Sequence, residues 1–170
     1  MTAFGKDRPG IVADVTQILY VNNCNLEDTS MSMLSDEFTI NLLFSSNDKN
    51  IEPTLLEECR NLEQQKNVSA FIRPLKERRP ASQAGFFTST LHVEGMDQAG
   101  IVFKISRFLS DIALNIVDLK STMKVTPESG TALYLMDIHV QVPESTSRED
   151  LEKGLNSVAE ELNVEISVTY

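Results

Sequence analysis

Two short stretches hold the residue types best suited to meeting a small charged molecule. Gly5-Lys6-Asp7-Arg8-Pro9-Gly10-Ile11-Val12 stands near the start, and Gly95-Met96-Asp97-Gln98-Ala99-Gly100-Ile101-Val102 repeats it further on. Gly10 and Gly100 carry no side chain, so a ligand or another backbone can approach closely. Each precedes residues with helical apolar spacing, and Pro9 suits a first helical turn, where its missing N–H would have been unpaired. The amides of Gly10, Ile11 and Val12 are then expected as free donors at the positive end of a helix dipole. That is a place for a carboxylate or phosphate. Asp7 and Asp97 suit capping of the helix or reception of an ammonium group. Asn25 and Asn115 follow the helix, where Asn adopts left-handed geometry or offers both a donor and an acceptor. The same residues also occur where nothing binds, since Gly and Pro begin many helices and Asn is a common C-cap.

Signatures of catalysis are missing from the sequence. It has no Gly-rich phosphate loop ending in Lys-Ser/Thr, no Gly-x-Ser-x-Gly and no His-Glu-x-x-His. His92 and His139 fall in different predicted strands and do not by themselves make a metal site. No catalytic residue, metal or cofactor is expected. The 15 Lys and Arg against 25 Asp and Glu give a net charge of −10. Such a field repels phosphate backbones, so direct nucleic-acid binding is not expected. No run approaches the roughly 20 apolar residues of a bilayer span. The start, Met1 to Asp7, lacks the basic and apolar blocks of a secretory signal. Cys24 and Cys59 have neither metal nor redox spacing and read as reduced thiols in a cytoplasmic protein.

The two stretches belong to a longer internal repeat. Leu19 recurs as Leu109, Asn25 as Asn115, Asp28 as Asp118 and Met33 as Met123. Phe38 to Phe44 then matches Tyr134 to Val140, after a longer turn at Thr126 to Thr131 in the second copy. Each copy reads strand, helix, strand, strand, helix, strand. The apolar stripe Ile11, Val12, Val15, Ile18, Leu19 returns as Ile101, Val102, Ile105, Phe108, Leu109, Ile112. Phe38 to Phe44 and Tyr134 to Val142 alternate with period two, as half-buried strands do. Second helices are expected over Glu52 to Gln65, with Pro53 in the first turn, and over Ser147 to Leu162. There Ser147 and Asp150 come close to a capping box. Val68 to Leu75 and Val164 to Tyr170 are the expected last strands.

This order is the split βαβ, or ferredoxin-like, arrangement. The expected fold is α+β: two tandem βαββαβ domains, each an antiparallel four-stranded sheet with its helices on one face. Residues 1–76 make the first domain, 77–85 a linker and 86–170 the second. The free face of each sheet needs a cover, which pairing of the copies or a homodimer supplies. One conflict stands out. The first strand of the second copy has room from Phe86 to Glu94, but the first copy offers only Met1 to Phe4 for a strand inside the sheet. That strand reads as short or truncated.

On Asp7-Arg8-Pro9-Gly10-Ile11-Val12, Asn25-Leu26-Glu27-Asp28 and the alternating Phe38-to-Phe44 strand, the chain resembles an ACT domain. The second copy follows the same outline through Asp97, Gly100-Ile101-Val102, Asn115-Ile116 and Tyr134 to Val142. Two such domains without a catalytic one resemble regulators of the glycine cleavage repressor type. The resemblance implies an amino-acid ligand at interfaces between ACT domains, its carboxylate on amides near the first helix and the Asn contributing. Carried onto this chain, the positions are Asp7, Gly10, Ile11, Val12 and Asn25, with Asp97, Gly100, Ile101, Val102 and Asn115 in the second copy. Gln98-Ala99 departs from Arg8-Pro9, so the second site is either degenerate or takes a different ligand. The resemblance also implies a homodimer and action through a partner transcription factor. A structural module pairing through its sheet faces, or the separate regulatory arm of a metabolic enzyme, fits the same sequence.

Overall fold

The computed structural model describes residues 1–75, 85–125, 130 and 132–170, and the chain divides into two compact units, Met1–Arg79 and Pro80–Tyr170. The expected linker, apart from Gly85, lies outside the described residues, as does most of the turn at Thr126 to Thr131. The first unit runs β1 (Thr2–Lys6), α1 (Ile11–Val21), β2 (Asn25–Leu34), β3 (Glu37–Ser45), α2 (Glu52–Lys66), β4 (Val68–Phe71). The second runs β5 (Phe86–Met96), α3 (Ile101–Asp111), β6 (Asn115–Val125), β7 (Ala132–Pro143), α4 (Arg148–Leu162), β8 (Val164–Thr169). Both sheets are antiparallel, in the orders β2-β3-β1-β4 and β6-β7-β5-β8. This is the expected α+β architecture, built twice.

Both helices of each unit lie on one sheet face, because the core is drawn from alternate strand positions. Ile11, Val15, Ile18 and Leu19 of α1, with Leu55 and Leu62 of α2, pack on Ala3, Phe38, Ile40, Leu42 and Val68. In the second unit Ile101, Ile105 and Leu109 join Leu151, Leu155 and Leu162 over Leu91, Val93, Met136, Ile138 and Val140. Each such Leu or Ile contributes on the order of 1.5–3 kcal/mol by leaving water. Val12, Val102 and Ile112 do not belong to these stripes, for they are 40%, 39% and 40% exposed. One position beyond Ile11 the helix has turned by about 100°, which carries Val12 off the core.

Where the copies differ, strand pairing supplies the reason. β1 has five residues and β5 eleven, though both are inner strands. β4 stops at Phe71, short of the expected Leu75, because Thr2↔Phe71 is the last pair that β1 offers it. β2 and β6 are edge strands, each with a register shift at the same place, between Leu26 and Asp28 and between Ile116 and Asp118. Ser147 caps α4 as expected, its Oγ accepting the Asp150 N–H at 3.3 Å.

Alternation gives each sheet a second face that the helices of its own unit do not cover. Its two inner rows in the first unit, Ser30–Asn41–Thr2–Phe71 and Ser32–Thr39–Phe4–Ser69, contain no charged residue. The equivalent rows in the second unit are Lys120–Asp137–His92–Ser167 and Thr122–Leu135–Glu94–Glu165. His92 Nδ1 lies 2.7 Å from Asp137 Oδ1, and His139 Nδ1 lies 3.8 Å from Asp118 Oδ2 on the same face.

Candidate ligand-binding turn

Each first helix starts from a glycine in left-handed geometry, Gly10 at φ 87° and Gly100 at φ 101°. Other L-residues are strained there, which accounts for glycine at both positions. A Cβ at Gly10 would meet only Arg8 Nη1, at 3.9 Å, and one at Gly100 would meet nothing within 4 Å. The conformation therefore demands glycine while the space in front of it stays open.

Past these glycines the backbone donors are exposed in number. The first helical hydrogen bonds run from the Asp14 N–H to Gly10 O and from the Lys104 N–H to Gly100 O, both at 2.9 Å. Among the described residues the Val12 and Ala13 amides meet no protein acceptor, and neither do those of Val102 and Phe103. The Ile11 amide departs from expectation. It closes a turn onto Arg8 O at 3.3 Å, whereas the Gly10 and Val12 amides on either side of it meet no protein acceptor among the described residues. The side chains of Ile11 and Ile101 are core, leaving only their backbone beside the turn.

Other candidates fall differently from their expected roles. Pro9 precedes the Gly10 N-cap and so sits outside the first helical turn. Neither helix has a side-chain cap, so Asp7 and Asp97 do not cap; both are exposed. The Asp7 N–H donates to Asp36 O at 2.8 Å, which fixes the strand end. Asn25 and Asn115 are not helix caps either. They open the edge strands, opposite Ser45 and Gln141, and left-handed geometry falls instead on Asn23 and Ala113. Asn115 Nδ2 donates to Gln141 Oε1 at 3.4 Å. Among the described residues no hydrogen bond joins Asp7 or Asn25 to the turn. A shallow groove of about 580 Å³ runs alongside, walled by Ala13, Thr16, Tyr20, Cys24 and Leu26, and takes none of the five expected positions into its wall.

Arg8 is the feature that the candidate set lacks. Its Nη2 donates to Asp14 Oδ2 at 2.5 Å, and Lys66 Nζ lies 3.8 Å from Asp14 Oδ1. The Arg8 hydrogen bond holds the Asp14 carboxyl below the usual carboxylate value; burial opposes this and Lys66 assists it. The signal was within the repeat itself, at the position where Gln98 replaces Arg8. Gln98 Nε2 instead donates to Leu162 O at the end of α4. Nearby, Lys104 Nζ meets Glu161 Oε1 at 2.7 Å.

Residues 1–72 match the ACT domain family. The match runs the length of the first unit, from β1 to β4. It is 26% identical over 170 residues to the glycine cleavage system transcriptional repressor of Escherichia coli (strain K12), covering 99% of this chain and 87% of that protein. The crystal structure of an unknown protein from Galdieria sulphuraria superposes with a TM-score of 0.78 at 28% identity, over 98% of this chain and 94% of that one. That of a candidate glycine cleavage system transcriptional repressor has a TM-score of 0.67 at 21% identity, over 99% and 93%, and shares the fold. The second ACT-like unit repeats the topology of the first strand for strand. Among the described residues no helix is long and apolar enough to cross a membrane.

Proposed function

We propose that this protein is a non-catalytic cytoplasmic regulator. It binds an amino acid at ACT-domain interfaces and changes how it meets a partner protein, such as a transcription regulator of glycine metabolism. One observation carries the reading: in both units, unpaired amides follow a left-handed glycine that faces open space. Such donors at the positive end of a helix suit a carboxylate. Arg8 adds a cation beside the first turn, making it the stronger receiver. The full-length likeness to a repressor supports the regulatory half of the reading. Ligand held between domains favours one arrangement over another, and its leverage equals its difference in affinity for the two.

A thermal-unfolding panel of free amino acids, glycine and serine included, tests this. A ligand at 100 times its dissociation constant adds roughly 2.7 kcal/mol, a shift of several degrees for domains of this size. Gly10→Asp should abolish the shift by placing a carboxylate before the amides. Gly10→Ala carries the same strain without the charge and should retain part of it. A flat panel on folded protein would sink the proposal and favour a module that acts only by contact.

A further inference from the structure

We infer that the outer edge of β8 takes up an extended segment of a basic partner protein, as an added strand whose cations face carboxylates of the second unit. The inference rests on the partner half of the proposed regulation and not on the ligand half, since no amino acid takes part in it. Among the described residues four strands stand at sheet edges, β2 and β4 in the first unit, β6 and β8 in the second. A bare edge is a template for another strand, and proteins blunt it with bulges, lysines or shortness. β2 and β6 each carry a register shift, β6 adds Lys120 and Lys124, and β4 has only four residues. β8 has six residues in unbroken register with β5, and no lysine. Among the described residues nothing pairs with its outer side.

Alternation along β8 defines what fits beside it. Val164, Ile166 and Val168 lie half-buried against the core, while Glu165, Ser167 and Thr169 are exposed on the other face. A strand added there pairs apolar side chains with the first set and polar ones with the second. Charge decides the polar set. Glu165 stands directly opposite Glu94, a like-charged cross-strand pair that costs stability and that a cation from outside would relieve. With Glu160 they are the charged walls of an open hollow of about 670 Å³ beside this edge. Glu161, next in the chain, has Lys104 as its partner. Among the described residues no ion pair includes Glu94, Glu160 or Glu165. The excess runs through the unit: Pro80–Tyr170 holds 6 Lys and Arg against 13 Asp and Glu, whereas Met1–Arg79 holds 9 against 12. Such a field draws in a basic segment and repels both nucleic acid and the same edge of another copy.

Fluorescence anisotropy on the full chain at low salt tests this, the probe being a labelled peptide of alternating Val and Lys long enough to span Val164–Thr169. It should bind with a submillimolar dissociation constant and shift the Val164–Thr169 amide resonances, and its Val-Glu counterpart should not bind. Full N-methylation of the peptide keeps its charges but removes its strand-forming donors, and should weaken binding at least ten-fold. Glu165→Lys and Glu160→Lys, each confirmed folded by circular dichroism, should weaken it at least five-fold, whereas Glu57→Lys on α2 should leave it unchanged. The N-methylated peptide needs no variant, so the test stands even if a variant fails to fold. No binding at millimolar peptide overturns the inference. So does an N-methylated peptide that binds as well as its parent, which is charge attraction without strand addition, or equal loss in Glu57→Lys and Glu165→Lys. None of these results moves the amino-acid panel, so failure here is distinguishable from failure of the ligand half.

Discussion

The first ACT domain and the unit that repeats it build the same turn on a left-handed glycine but surround it with different charges. Asp14 in the first unit faces Arg8 and Lys66; the equivalent position in the second is Lys104, which faces Glu161. Each pair ties the first helix to the end of the second, with polarity reversed. The tie is thus a need of the fold, and its sign is not. Arg8 is different, because the second unit forms the same turn with Gln98, whose side chain goes to Leu162 O. A cation at that position is not required to make the turn; Asp14 holds it there, and with Lys66 the cluster keeps one net positive charge beside the turn. The sheet faces away from the helices teach the same lesson: topology is identical, but the two inner rows are uncharged in the first unit, with Phe4 and Phe71 on them, and charged in the second.

Core truncation should separate the two units most sharply. Ile105→Ala empties a fully buried site and should cost about 2–5 kcal/mol. Amide exchange should accelerate in the second unit and leave the first nearly unchanged. Equal acceleration in both would mean that the repeat unfolds as one body.

The equivalent glycines Gly95 and Gly5 come next. A Cβ on Gly95 would fall 2.6 Å from Val164 Cγ1, whereas one on Gly5 would sit 3.1 Å from Asn67 O. Gly95→Ala should lose about 1–3 kcal/mol to overpacking, and Gly5→Ala less, as read by denaturant titration. The reverse order would contradict the packing described for β8.

Smaller effects sharpen the helix comparison. Ser147→Ala removes the α4 cap and should cost about 1 kcal/mol; α2 has Ile51 at its N-cap and no side-chain cap to lose. Breaking the exposed Lys104–Glu161 pair with Lys104→Met should cost only about 0.2–1 kcal/mol. Asp14 has a pH signature of its own. Its folded-state value lies below the unfolded one, so its stabilisation is present above the ordinary carboxylate value and is lost as pH falls through the depressed value. Acid unfolding of Asp14→Asn should lack that component, and a superimposable acid limb would contradict the Arg8 contact.

Topology was legible because the repeat shows the pattern twice, and period-two runs such as Phe38 to Phe44 leave little freedom of register. The position of the glycines was legible too, since few other residues tolerate their φ. What the sequence hid were relations between neighbours. Val12 lies beside Ile11 in the chain but off the core, and the Ile11 amide is taken by a turn onto Arg8 O. Asn25 looked like a cap because it follows the helix closely, yet the chain reverses at Asn23 and Asn25 already belongs to β2. Arg8 escaped because a surface cation gains meaning only from the turn it stands beside.

The most direct test is an NMR titration of the uniformly ¹⁵N-labelled full chain with amino acids, following backbone amides. The account predicts that at least one amino acid shifts the Val12 and Ala13 resonances, with Gly10, at lower concentration than those of Val102 and Phe103. Shifts confined to residues away from both turns, or none at millimolar ligand, would contradict it.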